Sequence, residues 1–285
     1  MNRGVLYMLI AGLFFAVMNV LVKLLPNIPA VEIVFFRSLI SFIMSYVYLK
    51  SVRVSVFGSN RKLLIARGLA GAIALSMFFY TLQNIPLASA VTMQFLSPIF
   101  TSVLGIYIVK EKVKPIQWIF YLMAFGGILI IQGFDPRISF EMFLIGITSA
   151  AFAGLAYNII RKINDREHPL VIIFYFPLIT LPLAGVYSVF NWVMPQGNEW
   201  YVLILIGVLT QIAQYFMTKS YQSENLSKVA SLNYLSIIYA LSFGYVFFGE
   251  TFNVWVYSGI ALILTGVISN IYFKNRREKV DTLKQ

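Results

Sequence analysis

The chain has 285 residues, 59% hydrophobic and only 12% charged, with a formal net charge of +11 and no cysteine. Soluble domains carry about 25% charged residues, so this composition excludes a soluble enzyme or binding module. The lack of cysteine excludes disulfides, thiol catalysis and cysteine-held metal.

A hydrocarbon core ~30 Å thick needs about 20 apolar residues per helical crossing. Ten stretches meet that requirement: 4–25, 30–50, 62–84, 87–109, 115–132, 140–161, 168–190, 199–222, 226–249 and 254–273. The ~10-residue alternation of barrel strands is absent. An all-α membrane protein of ten transmembrane helices is therefore predicted, since a non-barrel crossing must satisfy its backbone within the helix.

The first span follows Arg3 and carries Asn19. It is longer than the roughly 7–15 apolar residues of a signal peptide, so it is expected to remain as a helix. The second span holds Glu32 and then Arg37, a turn or two below its rim. Arg37 could clamp a substrate carboxylate or phosphate. It could equally snorkel to the interface or pair with a neighbour. The third span opens at Arg67-Gly68 and aligns Ser76, Tyr80 and Gln83 at i, i+4 and i+7. In the fourth, Pro98 has no N–H to give the carbonyl of Gln94, beside that residue's own amide.

The sixth span carries a small-residue stripe, Gly146, Ala150 and Gly154, ending at Asn158. Such stripes usually serve close helix packing. The seventh contains Pro177 and Pro182 and follows His168, the single histidine. The eighth aligns Gln211, Gln214, Tyr215 and Thr218 at i, i+3, i+4 and i+7, the spacing of one helix face. The ninth offers Asn233 and Ser236. A polar group inside the bilayer is costly unless it meets a partner or water. The candidate substrate-binding residues are Gln94, Gln211, Gln214, Tyr215 and Asn233, with Tyr80, Asn19, Asn158 and Arg37. Interhelical hydrogen bonding is the alternative role for each amide.

With ten spans and the N-terminus inside, all but Lys23, Arg37 and Arg137 of the 22 Lys and Arg fall on the N-terminal side. That is the positive-inside bias. It predicts an inner-membrane protein with both termini cytoplasmic and no nucleic-acid partner. The eleven Asp and Glu all fall at span ends, in loops or in the tail. A proton relay through a midplane carboxylate, as in many pumps, is not expected.

Residues n and n+139 resemble each other along nearly the whole first half. Asn19/Asn158, Lys23/Lys162, Ile40/Ile179, Gly68/Gly207, Gln83/Gln222, Ser97/Ser236, Glu111/Glu250 and Gly127/Gly266 are among the pairs. Gln94 corresponds to Asn233. Five spans per repeat is an odd number, so the second half must enter the membrane inverted, a construction of secondary transporters. The predicted units are 1–137 and 138–276, followed by a basic tail, 277–285.

These features, with Phe35-Phe36-Arg37, Arg67-Gly68 and the glutamates 111 and 250, resemble the drug/metabolite transporter superfamily in its EamA-type branch. The resemblance covers residues 4–273 and implies a central cavity lined by spans 1, 3, 4, 6, 8 and 9. The second repeat departs from the first, with Phe176 in the place of Arg37 and Ile206 in that of Arg67. The expected function is secondary transport, by alternating access, of a small neutral or zwitterionic organic metabolite, amino-acid-like or nucleobase-like. Export of drugs or toxic metabolites and a nontransporting receptor or scaffold are the alternatives. The expected partners are the small-molecule substrate and the lipid bilayer, with no cofactor and no metal, in a monomeric protein.

Overall fold

The computed structural model describes residues 3–110, 113–163, 167, 169–223 and 235–282. These residues form helices α1 (Arg3–Lys23), α2 (Ala30–Ser51), α3 (Arg61–Asn84), α4 (Leu87–Gln94), α5 (Ser97–Ile108) and α6 (Pro115–Phe134). They continue as α7 (Phe140–Ile163), α8 (Pro169–Phe190), α9 (Glu199–Ser223), α10 (Leu235–Phe248) and α11 (Val254–Thr282). Among the described residues there is no strand, and eight helical segments are long and apolar enough to cross a membrane. Two shorter apolar stretches, Leu235–Phe248 and Val254–Asn270, add to them. The protein is a multi-pass membrane protein. Its outer surface bears large apolar side chains such as Leu122, Val186, Val189 and Phe190. A helix that is apolar all round suits burial in lipid on one side and protein on the other.

The predicted fourth span is two helices. The segment Leu87–Ile108 breaks between Gln94 and Ser97, because Pro98 cannot donate to the preceding turn. Pro177 and Pro182 lie inside α8 without ending it.

Helix packing is set by small residues. α6 packs against α11, α1 against α9, α3 against α7 and α2 against α8, while α2 also meets α9 and α3 meets α8. A Cβ added at Gly68 would lie 2.8 Å from the Ile179 Cβ. One added at Gly207 would lie 2.7 Å from the Ile40 Cβ. Both pairs are too close for real carbon atoms, so only glycine permits these crossings. At the edge, a Cβ on Gly127 would meet the Gly259 carbonyl at 2.5 Å, and one on Gly266 the Phe120 carbonyl at 2.6 Å. Each of these contacts has its counterpart at positions offset by 139.

Acidic side chains tie down helix ends. At Gly249 (φ 62°), Gly249 N donates to the Tyr245 carbonyl, the αL C-cap of α10, and Glu250 N donates to the Gly244 carbonyl. This holds Glu250 where its Oε1 and Oε2 accept from Leu87 N, at the start of α4, at 3.0 and 2.8 Å. Lys23 Nζ stands 3.1 Å from the same carboxylate and also donates to the Ile85 carbonyl. Three chain segments thus meet on one largely buried ion pair. The Glu167 carboxylate accepts from the backbone N–H groups of Ser59 and Asn60 ahead of α3. Gln83 Nε2 donates to the Leu25 and Ile28 carbonyls at 2.6 and 2.9 Å, fastening the α1–α2 connection.

The glycine crossings generate a stability prediction. Gly68→Val and Gly207→Val should each destabilise the folded protein by at least the ~1–3 kcal/mol of an overpacked core. Gly133→Val, with nothing within 4 Å of its added Cβ, serves as control and should stay within about 0.5 kcal/mol. Thermal unfolding in detergent reads the difference, and equal melting temperatures for all three variants would refute the packing account.

Candidate substrate site

A small, partly open pocket of about 50 Å³ with mixed polar and apolar lining lies at the crossings of α2, α3, α8 and α9. α2 contributes Arg37, Ser41 and Ser45; α3 contributes Arg67. α8 supplies Ile173, Phe176 and Pro177, and α9 supplies Thr210, Gln211 and Gln214. Serines and arginine at 37, 41 and 45 follow one another at i+4, which places them on one face of α2. Arg37 lies seven residues into α2, and Arg67 six residues into α3, which starts where α2 and its connection end. At 1.5 Å per residue the two approach the pocket from opposite ends, each about 10 Å in.

The Arg37 side chain is buried, at 6% exposure. Its Nε donates to Thr210 Oγ1 at 3.1 Å, and that hydroxyl donates to Met18 Sδ at 2.9 Å. The Arg37 guanidinium carbon stands 5.6 Å from the Phe176 ring centre and 5.8 Å from that of Phe79. The Arg67 guanidinium carbon stands 5.0 Å from the same Phe176 ring. Arg37 Nη1, Arg67 Nε and Arg67 Nη1 are buried without a hydrogen-bond partner in the protein. The residues described as lining the pocket include no carboxylate. An arginine at mid-membrane costs ~2.5–3.5 kcal/mol even on insertion scales. A cation–π contact returns ~0.5–1 kcal/mol when exposed and about 2 kcal/mol or more when desolvated. Two such cations share the Phe176 ring, with Phe79 beside Arg37, and aromatic contact leaves their free N–H groups without an acceptor.

Pro177 has no N–H to give the carbonyl of Ile173, and both residues line the pocket. Gln211 Nε2 reaches Ser45 Oγ at 3.4 Å, the long limit of a hydrogen bond. The pocket therefore combines two guanidinium groups with hydroxyls, carboxamides and a helix carbonyl released from its ladder. Such a set can take a charged, hydrogen-bonding solute group.

The other sequence-nominated residues are distributed around this pocket. Gln94 Nε2 donates to Ser149 Oγ at 2.9 Å, and Ser149 Oγ donates to the Ala74 carbonyl at 2.8 Å, linking α4, α7 and α3. Asn158 Nδ2 donates to the Thr101 carbonyl at 2.8 Å and the Gly154 carbonyl at 3.0 Å. The Oδ1 atoms of Asn158 and Asn19 are buried without a protein partner. Tyr215 is 52% exposed and meets the Phe216 ring edge-on at 5.6 Å. Tyr80 lines a second, wider cavity of about 520 Å³ with Ser76, Gln83 and the α1–α2 connection. Asn233 lies outside the described residues. Of the nominated set, Arg37, Gln211 and Gln214 thus share the pocket, and Gln94, Tyr80, Tyr215 and Asn158 do not line it. Arg67 was grouped with the loop cations by sequence. The usable signal was its place inside the third span, immediately before Gly68.

The model of the EamA-like transporter family matches residues 2–133 and again 140–272. The chain is similar to the pseudopaline exporter CntI of Pseudomonas aeruginosa, at 31% identity over 94% of this chain and 96% of that protein. It is also similar to human solute carrier family 35 member G1, at 28% identity over 94% of this chain and 78% of the relative. A chain of known crystal structure shares the fold with a TM-score of 0.66, at 18% identity, covering 96% of this chain and 99% of the other.

Two amides with different surroundings should behave differently when removed. Asn158→Ala deletes one interhelical bond, to the Thr101 carbonyl, and one within α7, to the Gly154 carbonyl, and should lower stability by about 0.6–1.7 kcal/mol, the range of intramembrane hydrogen bonds. Gln211→Ala deletes one marginal contact and should melt within about 0.5 kcal/mol of wild type. Thermal unfolding of both variants checks the contrast; a larger loss at Gln211 would make it a structural strut.

Proposed function

The chain belongs to the EamA-like transporter family, and we propose that it is a secondary transporter of a small organic metabolite, zwitterionic or neutral, working by alternating access. The observation that carries this reading is the central junction. Gly68 receives Ile179 and Gly207 receives Ile40, and these four residues form two pairs offset by 139. Two five-helix repeats, 1–137 and 138–276, inserted with opposite orientation, account for such matched contacts. The two separate matches of the family model support the same division. Inverted repeats allow the halves to exchange conformations, opening the site to one side and then the other.

The reading includes ten crossings, both termini in the cytoplasm and the bacterial-type inner membrane as location; its support is the one-sided distribution of Lys and Arg. A monomer suffices, because both halves of the junction belong to one chain. Gln211, Gln214 and Arg37 are the nominated residues that contact the solute, and Gln94, Asn233, Tyr215, Tyr80, Asn19 and Asn158 remain candidates on the wider path. Export is the favoured direction, supported by the relation to an exporter over nearly the full length.

Described acids such as Glu32, Glu167 and Glu250 are engaged at helix ends. Movement therefore proceeds as exchange or facilitated passage, without a midplane carboxylate. Vesicles reconstituted with the protein and preloaded with an unlabelled amino-acid mixture should accumulate at least one labelled amino acid by counterflow, at equal pH inside and out. A strict requirement for a pH gradient would overturn this energetic scheme. For orientation, a single cysteine at Asn198 should react with an impermeant thiol reagent in intact cells, while one at Arg61 should not. The reverse pattern would invert the topology.

A further inference from the structure

We propose that Arg37 and Arg67 together form a binding site for a carboxylate group, so that the transported solute carries at least one carboxylate held against the Phe176 ring. The inference rests on the transporter reading and narrows its substrate from neutral or zwitterionic to carboxylate-bearing. Four observations carry it. Arg37 is more than nine-tenths buried, and Arg37 Nη1, Arg67 Nε and Arg67 Nη1 have no acceptor in the protein. Both guanidinium groups stand within 6 Å of one ring centre, at 5.6 and 5.0 Å. The described pocket lining holds no carboxylate to neutralise them. Elsewhere a half-buried cation is paired, Lys23 with Glu250.

Arginine stays protonated and offers only donors. Donors that are buried, charged and without an acceptor call for an anion from outside the protein. The pocket of about 50 Å³ exceeds the ~10–15 Å³ that one water needs but falls far below the roughly 300–1,000 Å³ of a site that holds a whole organic ligand. It therefore suits one small oxyanion group at the end of a larger solute. Both arginines stand about 10 Å along their helices, in a pocket set between α2, α3, α8 and α9, a position that favours a solute group over a lipid phosphate. The remaining sources are a carboxylate of the solute, inorganic phosphate and chloride. The carboxylate fits best, because Ser41, Ser45, Gln211 and Gln214 line the same space and can hydrogen-bond its oxygens or an adjoining amine. Pro177 contributes the Ile173 carbonyl as a further acceptor for such an amine.

The asymmetry of the two halves agrees with this assignment. Phe176 occupies the position offset by 139 from Arg37, and Ile206 the one offset from Arg67. One half supplies both charges and the other supplies the ring between them. A carboxylate held there would be released as the halves separate.

The test uses the purified full-length protein in detergent. Thermal unfolding is followed against increasing succinate, L-glutamate and citrate, with succinamide as uncharged analogue, and with phosphate and sodium chloride at matched ionic strength. A ligand that binds only the folded state raises its melting temperature saturably. At least one carboxylate should do so beyond succinamide, phosphate and chloride. Arg37→Gln and Arg67→Gln should weaken that response at least tenfold while melting, without ligand, at or above the wild-type temperature. Arg37→Lys, which keeps the charge, should retain part of the response.

If no carboxylate exceeds succinamide in the wild type, the assignment is overturned. It is equally overturned if chloride or phosphate stabilises as strongly as the carboxylates, or if both glutamine variants keep wild-type affinity. A lower unliganded melting temperature in both glutamine variants would make the arginines structural and would also end the proposal. Counterflow separates this from the parent reading. Exchange of a neutral amino acid that survives in Arg37→Gln would preserve the transporter and remove the carboxylate site. Carboxylate binding without any counterflow would do the opposite.

Discussion

Two helices can approach only until a side chain intervenes, and at the centre of this protein the intervening carbon is missing at Gly68 and Gly207. Ile179 and Ile40 occupy the space that a Cβ would take. In lipid the hydrophobic effect gives helices little reason to associate, so close packing itself supplies much of the attraction. The two crossings bring α3 onto α8 and α2 onto α9. Because Arg67 immediately precedes Gly68 and Arg37 lies three residues before Ile40, the same crossings deliver both arginines to Phe176. The contact that makes the bundle compact also builds the pocket.

The second constraint is that polar groups within hydrocarbon must find partners inside the protein. Most here do so at helix ends. Glu250 caps α4 while pairing with Lys23, Glu167 receives two backbone N–H groups ahead of α3, and Glu32 accepts from Val193 N at 3.1 Å. Gln117 on α6 donates to Asn270 on α11 at 3.0 Å, binding the peripheral pair. Buried atoms without a partner occur elsewhere, among them Glu32 Oε1, Asn19 Oδ1 and Asn158 Oδ1, but the three nitrogens of Arg37 and Arg67 are cationic donors gathered in one pocket. They are concentrated at one place, between helices rather than at helix ends.

The halves are alike in packing and unlike in charge. Glycine and isoleucine recur at matched positions because both halves need the same close approach. Arginine does not recur, since Phe176 and Ile206 stand in its place. A second pair of cations in so small a space would add repulsion with no compensating charge. An aromatic face near the existing pair lowers its cost instead.

Much was legible from the order of residues. Long apolar runs give membrane helices whatever their neighbours, because the backbone must satisfy itself within each crossing. The break in the predicted fourth span followed from Pro98, and the engagement of acids at helix ends from their place along the chain. The 139-residue offset brought out the glycines and isoleucines that later proved to touch. Helical spacing also found Gln211 and Gln214 on one face. What spacing could not give was which faces meet. Gln94 and Asn158 left cavity lining and interhelical bonding both open, and each binds across a helix contact, to Ser149 and to the Thr101 carbonyl. Arg67 looked like one more cation near a span end, yet its guanidinium lies against the ring of Phe176, more than a hundred residues away in the chain. A sequence fixes the periodicity and depth of each side chain within its own helix. Only the crossing of helices, decided by the shapes of both surfaces at once, determines which partner that side chain meets.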